Sequence, residues 1–364
     1  MSEAYSLRTK AAADTEAPDL PWRPPKPKRP LRIGVIGAGG IVASHLAAYR
    51  AAGWEVAAIC NRTEAKARAA ADEWYPQARV TSDYQSILAD PAIEVVDVTP
   101  HPADRLPILE AAIRAGKHVL SQKPFVLDLA DGERLAEMAD AAGVRLAVNQ
   151  NGRWAPHMAY AREVARAGLL GEVTAVHAAV HWDHGWVAGT PFDDIPELIL
   201  HDFAIHWFDF LASVIGDRAE WVFASATRAA GQVAKPPLAA QAQVGWEGGQ
   251  ATLAFDGSVP VGAWDTTYVA GTEGAVRADG PDLNDQTVTI TTAEGTARPA
   301  LSGQWFDDGF RGAMGELMRA VEEGREPLNG ARANLYGLAL GFAAQESARR
   351  GEPVKVGSVT RAFP

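Results

Sequence analysis

The sequence predicts two domains of different architecture. Residues 31–150 read as an α/β domain with a doubly wound parallel sheet. Residues 151–364 read as an α+β domain, an open mixed or antiparallel β-sheet with helices on one face, and a Pro-rich arm occupies residues 1–30. Three observations carry this. From Leu31 onward, short apolar runs alternate with amphipathic stretches, the pattern of parallel strands whose crossover helices cover both faces. A glycine cluster, Gly37, Gly39 and Gly40, separates the first apolar run from the first helix. After Asn149 the grammar changes to successive β-like runs divided by Gly, Pro and Asp turns.

In chain order, strands are expected at 31–36, 54–60, 80, 93–99, 118–121 and 145–149. Helices are expected from about 40, at 64–74, 84–89, from 100 to about 115, and at 129–142. In the second domain a helix over 155–167 leads past Gly168 and Gly171 into an alternating strand at 173–182. A helix follows near 198–214. Strand-like runs then lie at 220–228, 240–245, 250–255, 266–270, 275–278 and 286–292, and two helices, 308–323 and 332–349, close the chain.

Composition bounds the function. Hydrophobic residues make up 47% of the 364 and charged residues 22%, so the chain can bury a sizeable core. A lone cysteine, Cys60, excludes an internal disulfide and fits a reducing compartment. No stretch reaches the roughly 18 uninterrupted apolar residues of a spanning helix. A cytoplasmic protein without membrane contact is expected. The net charge of −11 argues against nucleic acid as a partner. The one basic cluster, Arg23, Lys26, Lys28, Arg29 and Arg32, is interleaved with prolines. It reads as a flexible, polyproline-like tail lying across a neighbouring subunit.

The string Ile33-Gly34-Val35-Ile36-Gly37-Ala38-Gly39-Gly40-Ile41-Val42 stands where a strand ends and a helix begins. Gly37 suits a tight turn, Gly39 a close backbone approach to a pyrophosphate, and the helix N-terminus offers free N–H groups to that anion. This is a dinucleotide-binding signature, although its third small position holds Val42. At the end of the second strand stand Asn61, Arg62 and Thr63, not the carboxylate that binds the ribose hydroxyls of NAD. Such residues accommodate a 2′-phosphate, so NADP is favoured over NAD.

Lys123 ends the fifth strand beside Pro124, a place where a cis peptide bond can hold it at the crevice. Asp202 and His206 are four residues apart, and Asp209 three further on, so one helical face is expected to carry all three. A zinc site built from His181, Asp183, His184, His201, Asp202 and His206 is the competing chemistry. No His-Glu-x-x-His or paired cysteines support it, and no metal is expected.

These strings in this order resemble the glucose–fructose oxidoreductase, inositol dehydrogenase and rhizopine-catabolism (Gfo/Idh/MocA) family. The likeness runs from residue 31 to about 350. It includes Val96-Asp97-Val98-Thr99-Pro100, Ala115-Gly116-Lys117-His118-Val119-Leu120, Asn151-Gly152-Arg153-Trp154-Ala155-Pro156, Asp202-x-x-x-His206-x-x-Asp209, Gly271-Thr272-Glu273-Gly274 and Gly312-Ala313-Met314-Gly315-Glu316. The family's Glu-Lys-Pro appears here as Gln122-Lys123-Pro124, a change that removes a negative charge beside Lys123 and should ease loss of its proton.

The resemblance implies an N-terminal Rossmann domain and an NAD(P)-dependent oxidoreductase acting on a secondary alcohol or ketone of a sugar or polyol. His206 would be the acid/base, titrating near neutrality. Lys123 would polarise the reacting oxygen, and Asp202 would orient them. Gly37, Gly39, Gly40, Ile41, Asn61, Arg62, Thr63, Thr99, Pro100, His101, Gln122, Lys123 and Asn151 would bind the cofactor. Arg153, Trp154, His181, Asp183, His184, Asp202 and His206 would meet substrate. A homodimer or homotetramer is expected through the open sheet. Two alternatives use the same groups: a hydrolase or lyase that oxidises a sugar only transiently while keeping its NAD, and a nucleotide-sensing regulator without turnover.

Overall fold

The computed structural model describes residues 13–362. Its first sheet is formed by β1 (Ile33–Ile36), β2 (Val56–Cys60), β3 (Arg79–Thr81), β4 (Val95–Val98), β5 (His118–Ser121) and β6 (Leu146–Val148). The strands run β3-β2-β1-β4-β5-β6 and every ladder is parallel. β1 and β4 are buried at every position, which is why their sequences are nearly unbroken apolar runs. The connecting helices are α1 (Val42–Ala51), α2 (Glu64–Trp74), α3 (Tyr84–Leu88), α4 (Pro102–Arg114) and α5 (Leu129–Ala142). Local signals set the ends of α5: Asp128 caps it by accepting from the Ala130 N–H, and Gly143 closes it at φ +68°. The order reverses between β1 and β4, and the crevice of such a sheet opens at the carboxyl ends of those two strands.

The second domain follows with α6 (Pro156–Arg166), β7 (Val173–His181), α7 (Ile205–Ile215), β8 (Trp221–Thr227), β9 (Ala239–Trp246), β10 (Gly249–Asp256), β11 (Asp265–Gly271), β12 (Gly274–Gly280), β13 (Thr287–Thr292), β14 (Gly295–Ala297), α8 (Trp305–Glu323), α9 (Ala331–Arg350) and β15 (Val354–Lys355). Its nine strands run β14-β13-β12-β11-β7-β10-β9-β8-β15. Only the β7–β10 ladder is parallel, so the sheet is mixed. The edge strands β14 and β15 are too short to show a period and were not anticipated. One sheet face packs against α6, α7 and α9 in a single apolar cluster with Val176, Val180, Leu253, Trp207 and Phe208.

The last two helices also complete the first domain. Phe310, Met314 and Leu317 of α8 pack with Leu46 and Trp54, and Leu335, Leu338 and Phe342 of α9 pack with Leu135. The side chain and backbone of Asn329 both bond the backbone of Val148, extending the β6 edge. The strand grammar changes at residue 150, but the apolar cores do not divide there.

Residues 13–30 differ from the expected flexible tail reaching a neighbour, and residues 1–12 lie outside the described residues. The segment is a strap on its own chain: Trp22 is buried in the second domain's core and Tyr160 donates to Pro18 O at 3.0 Å. Thr15 and Ala13 exchange backbone bonds with Thr296. At its far end Arg29 pairs with Glu94 at 2.7 Å. The prolines keep the strap extended, and the buried indole anchors it.

Candidate active site

The glycine loop has the shape a pyrophosphate requires. Gly37 holds φ +108°, and a Cβ there would strike Thr99 Oγ1 and Pro100, so the loops after β1 and β4 close only over glycine. A Cβ on Gly39 or Gly40 would instead meet nothing within 4 Å, which leaves open space over their backbone. α1 starts at once after Ile41, with neither a side-chain cap nor an acidic residue in its first turn, so its N–H groups remain for an anion. These features fit a bound dinucleotide.

Asn61 takes a different place from the expected ribose contact. Its Oδ1 accepts from the Ala38 N–H at 3.0 Å and its Nδ2 donates to Thr63 O at 3.0 Å, so it braces the glycine loop against the turn after β2. Arg62 is exposed and makes no hydrogen bond or ion pair with the described residues. Thr63 and His101, both exposed, are the N-caps of α2 and α4.

Lys123 follows β5 and joins Pro124 through a cis bond. Its Nζ donates to Asp202 Oδ1 and to the Asp202 carbonyl, each at 2.9 Å. The negative charge that Gln122 lacks is therefore supplied from the second domain. Gln122 is buried and turned inward: Oε1 accepts from the Lys123 backbone N–H at 2.6 Å and Nε2 lies 3.0 Å from His45 Nε2. Both ends of its side-chain amide are occupied within the protein, where a cofactor contact was expected.

Sequence reading missed Arg105, which sits 1% exposed beneath these loops. Its guanidinium donates to Pro100 O at 3.0 and 2.8 Å, to Gln122 O, and to Pro124 O at 2.5 Å, tying the ends of β4 and β5 together. Burial lowers its pKa to about 9.

The helix expected to carry Asp202, His206 and Asp209 on one stripe is broken. Residues Ile199–Phe203 form a π-turn, with the Ala204 N–H bonding Ile199 O at 2.7 Å, and α7 begins only at Ile205. Asp202 thus lies on the wide turn and His206 on the first α-turn after it. Burial works to raise the Asp202 carboxyl, but the Lys123 ammonium outweighs it and holds the pKa below the usual value. Burial, assisted by Lys123 and opposed by Asp202, pushes His206 down to about 3. The imidazole is neutral near pH 7 rather than titrating there. Its Nδ1 is buried and has no hydrogen-bond partner among the described residues, while the ring stands edge-on to Trp305 at 5.5 Å. The backbone at Gly152, next to Asn151, passes close to His206, and the Asn151 Nδ2 is also buried without a partner.

Asp209 belongs to another pair. It receives Arg153 Nε at 2.6 Å and Nη2 at 2.9 Å, and Arg153 Nη1 bonds Leu328 O. Arg153 therefore has its guanidinium occupied inside the protein, where a substrate contact was expected. Trp154 is a core residue: it is 2% exposed, and a Cβ on Gly312 would collide with it. His181, at the end of β7, contacts Trp264 O and lies 3.5 Å from Asp256. Asp183 is exposed and bonds the Gly185 N–H at 2.8 Å. His184 is buried, lowered to about 4 mainly by burial, and close enough to Asp202 and Lys123 for both charges to act on it. It stands among Trp182, Trp186 and Phe203, with ring centroids 4.7 to 5.4 Å away. Among the described residues no group of three or more His, Cys, Asp or Glu is arranged to hold a metal ion, and no helix is long and apolar enough to cross a membrane.

The sequence of residues 31–150 matches the model of an oxidoreductase family with an NAD-binding Rossmann fold, and residues 158–277 match the GFO/IDH/MocA C-terminal domain. The D-apiose dehydrogenase of Paraburkholderia graminis is 26% identical over 359 residues, covering 91% of each chain. The inositol 2-dehydrogenase of Salmonella typhimurium is 28% identical over 183 residues, 49% of this chain and 54% of that one. Among solved structures, an oxidoreductase from Agrobacterium radiobacter in complex with NAD+, L-tartaric acid and magnesium superposes with a TM-score of 0.79 at 20% identity, covering 91% of this chain and 99% of that one. Levoglucosan dehydrogenase with NADH and levoglucosan gives 0.77 at 20% identity, covering 91% and 100%. With the parallel six-stranded sheet, the glycine loop and both domain matches in agreement, this chain belongs to the GFO/IDH/MocA family of oxidoreductases.

Proposed function

We propose that this enzyme moves hydride between a nicotinamide dinucleotide and a secondary alcohol or ketone of a sugar or polyol, with His206 and Lys123 as its acid–base group. The observation that carries the reading is a buried, neutral His206 beside the Lys123–Asp202 pair, its Nδ1 without a partner among the described residues. The dinucleotide, seated on the glycine loop, supplies the hydride acceptor or donor.

The chain's own residues handle the proton. In oxidation, neutral His206 takes the proton of the substrate hydroxyl at a ring nitrogen. The Lys123 ammonium stabilises the alkoxide that develops, and Asp202, 2.9 Å from its Nζ, aims it. Since burial keeps His206 deprotonated, oxidation is the direction in which it starts in the correct state at neutral pH. His184 with Trp182 and Trp186 offers a polar edge and flat apolar faces, which suit a substrate of hydroxyls and C–H surfaces. The relatives named for D-apiose and for inositol act on compounds of this class. Arg62, without a partner among the described residues, favours NADP. The outer face of the second sheet, where Trp221 and Tyr268 stand exposed, is the proposed contact in a homodimer or homotetramer.

Single-turnover nicotinamide absorbance with a panel of sugars, inositols and keto forms tests the function. Cofactor reduction by at least one polyol is expected, and His206→Ala or Lys123→Ala should slow that step by about 10² or more. Aglycone release from a glycoside without net reduction would select the redox-assisted hydrolase or lyase instead.

A further inference from the structure

Behind Lys123 lies a buried polar chain that the proposed chemistry does not use. It begins at Asp97 in the centre of β4, which is fully buried. Its Oδ2 accepts from Tyr49 Oη at 2.7 Å and contacts His45 Nδ1 at 2.6 Å, while Oδ1 has no partner among the described residues. With Asp97 Oδ2 as the acceptor in this contact as in the one from Tyr49, the hydrogen lies on His45 Nδ1. The Nε2 of the same ring is then left as an acceptor. It faces two amides: Gln122 Nε2 at 3.0 Å and Asn149 Nδ2 at 3.3 Å. The other end of the Gln122 amide accepts from the Lys123 backbone N–H at 2.6 Å.

This order of donors sets a direction. Asp97 orients His45, His45 orients Gln122, and Gln122 holds the backbone from which the Lys123 side chain reaches Asp202. Phe310 packs 4.4 Å from the imidazole and helps fix its plane. Asp97 and Tyr49 are the titratable side chains in contact with His45, and the Asp97 charge acts on the buried Arg105. Arg105 grips the same backbone through the carbonyls of Gln122 and Pro124, so this turn is held from both sides.

We infer that His45 is a positioning residue that sets Lys123 through the Gln122 amide, and that glutamine at 122 is matched to an imidazole acting as acceptor. The inference rests on the proposed role of Lys123. A carboxylate at position 122 would bring its own acceptor oxygen against the acceptor His45 Nε2, unless a proton entered between them. A glutamine supplies that hydrogen permanently through its N–H. The state of the turn is then independent of a titrating proton.

The test is the single-turnover hydride rate and cofactor Kd of Gln122→Leu, Gln122→Glu, His45→Gln and Tyr49→Phe, with melting temperatures alongside and Lys123→Ala as reference. Gln122→Leu should lose about tenfold or more in rate with little change in Kd, because an ångström of misplacement is that costly. His45→Gln, which keeps an acceptor near the Nε2 position, should retain more rate than Gln122→Leu. Tyr49→Phe, which removes one donor to Asp97 but keeps His45 and Gln122, should lower the melting temperature and cost less rate than Gln122→Leu. Gln122→Glu is nearly isosteric and should acquire a rate that falls as pH rises, a limb absent from the wild type. A Gln122→Glu pH profile superimposable on the wild type, or a wild-type rate in Gln122→Leu, overturns the inference. If Gln122→Leu does not fold, the Gln122→Glu profile alone decides. An undiminished rate in Lys123→Ala would instead remove the catalytic reading of Lys123, a distinguishable failure.

Discussion

His206 acquires its chemistry from where it is placed. A histidine in water titrates near 6.5, yet burial and the neighbouring Lys123 hold this one near 3, leaving a neutral base whose Nδ1 has no partner among the described residues. Arg62 shows the opposite case, a charge at the end of β2 with no partner among the described residues. Arg62→Ala should raise the KM for NADP more than that for NAD in steady-state assays, and equal effects would remove the 2′-phosphate assignment. Lys123, Asp202 and His206 were picked out by the likeness of their strings to the family's, and the fold brings Lys123 against Asp202. Other residues were not. Arg105 bonds only carbonyls, which every residue carries, so nothing in the sequence marks its partners. Arg153 and Trp154 have side chains suited to substrate, but residue type does not reveal direction. Arg153 turns to Asp209, and Trp154 turns into the core against Gly312.

At the scale of elements, α2, β5 and α5 were readable to the residue, and for α5 a cap and a glycine stop, Asp128 and Gly143, delimit it. The π-turn at Ile199–Phe203 was not readable, because a widened turn keeps the apolar pattern of an α-helix. It changes which residues face each other, and it puts Asp202 against Lys123 while Asp209 goes elsewhere. The covering role of α8 and α9 was also hidden, since amphipathicity shows that a helix has a partner but not which sheet it is. The first domain depends on that cover. A fragment of residues 31–150 lacks Phe310, Met314, Leu335 and Phe342 over its core and should not hold a folded state alone. Circular dichroism and size exclusion of that fragment should show unfolded or aggregated chain; a cooperative melt would contradict the shared core.

For the whole molecule, buried histidines couple stability to pH. His157 and His184 are held near 4 and His206 near 3, each chiefly by burial, with His118 and His201 lowered in the same sense. Below about 6.5 the unfolded chain binds protons that the folded chain refuses, so stability is full above that pH and falls as pH drops toward 4. Each fully shifted histidine contributes a slope on the order of 1.4 kcal/mol per pH unit. Asp265, raised to about 6 mainly by burial, acts in the opposite sense below pH 6 and offsets about one of them. The melting temperature should therefore be lower at pH 5 than at pH 7. A value that held or rose would show that these rings are open to water. The central claim is spatial, that groups from both domains converge on one reacting oxygen, and a structure with bound dinucleotide and a polyol tests it most directly. The account predicts one substrate oxygen within hydrogen-bond reach of both Lys123 Nζ and His206, its carbon about 3 to 3.5 Å from the nicotinamide C4. A polyol seated with that oxygen away from either residue would contradict it.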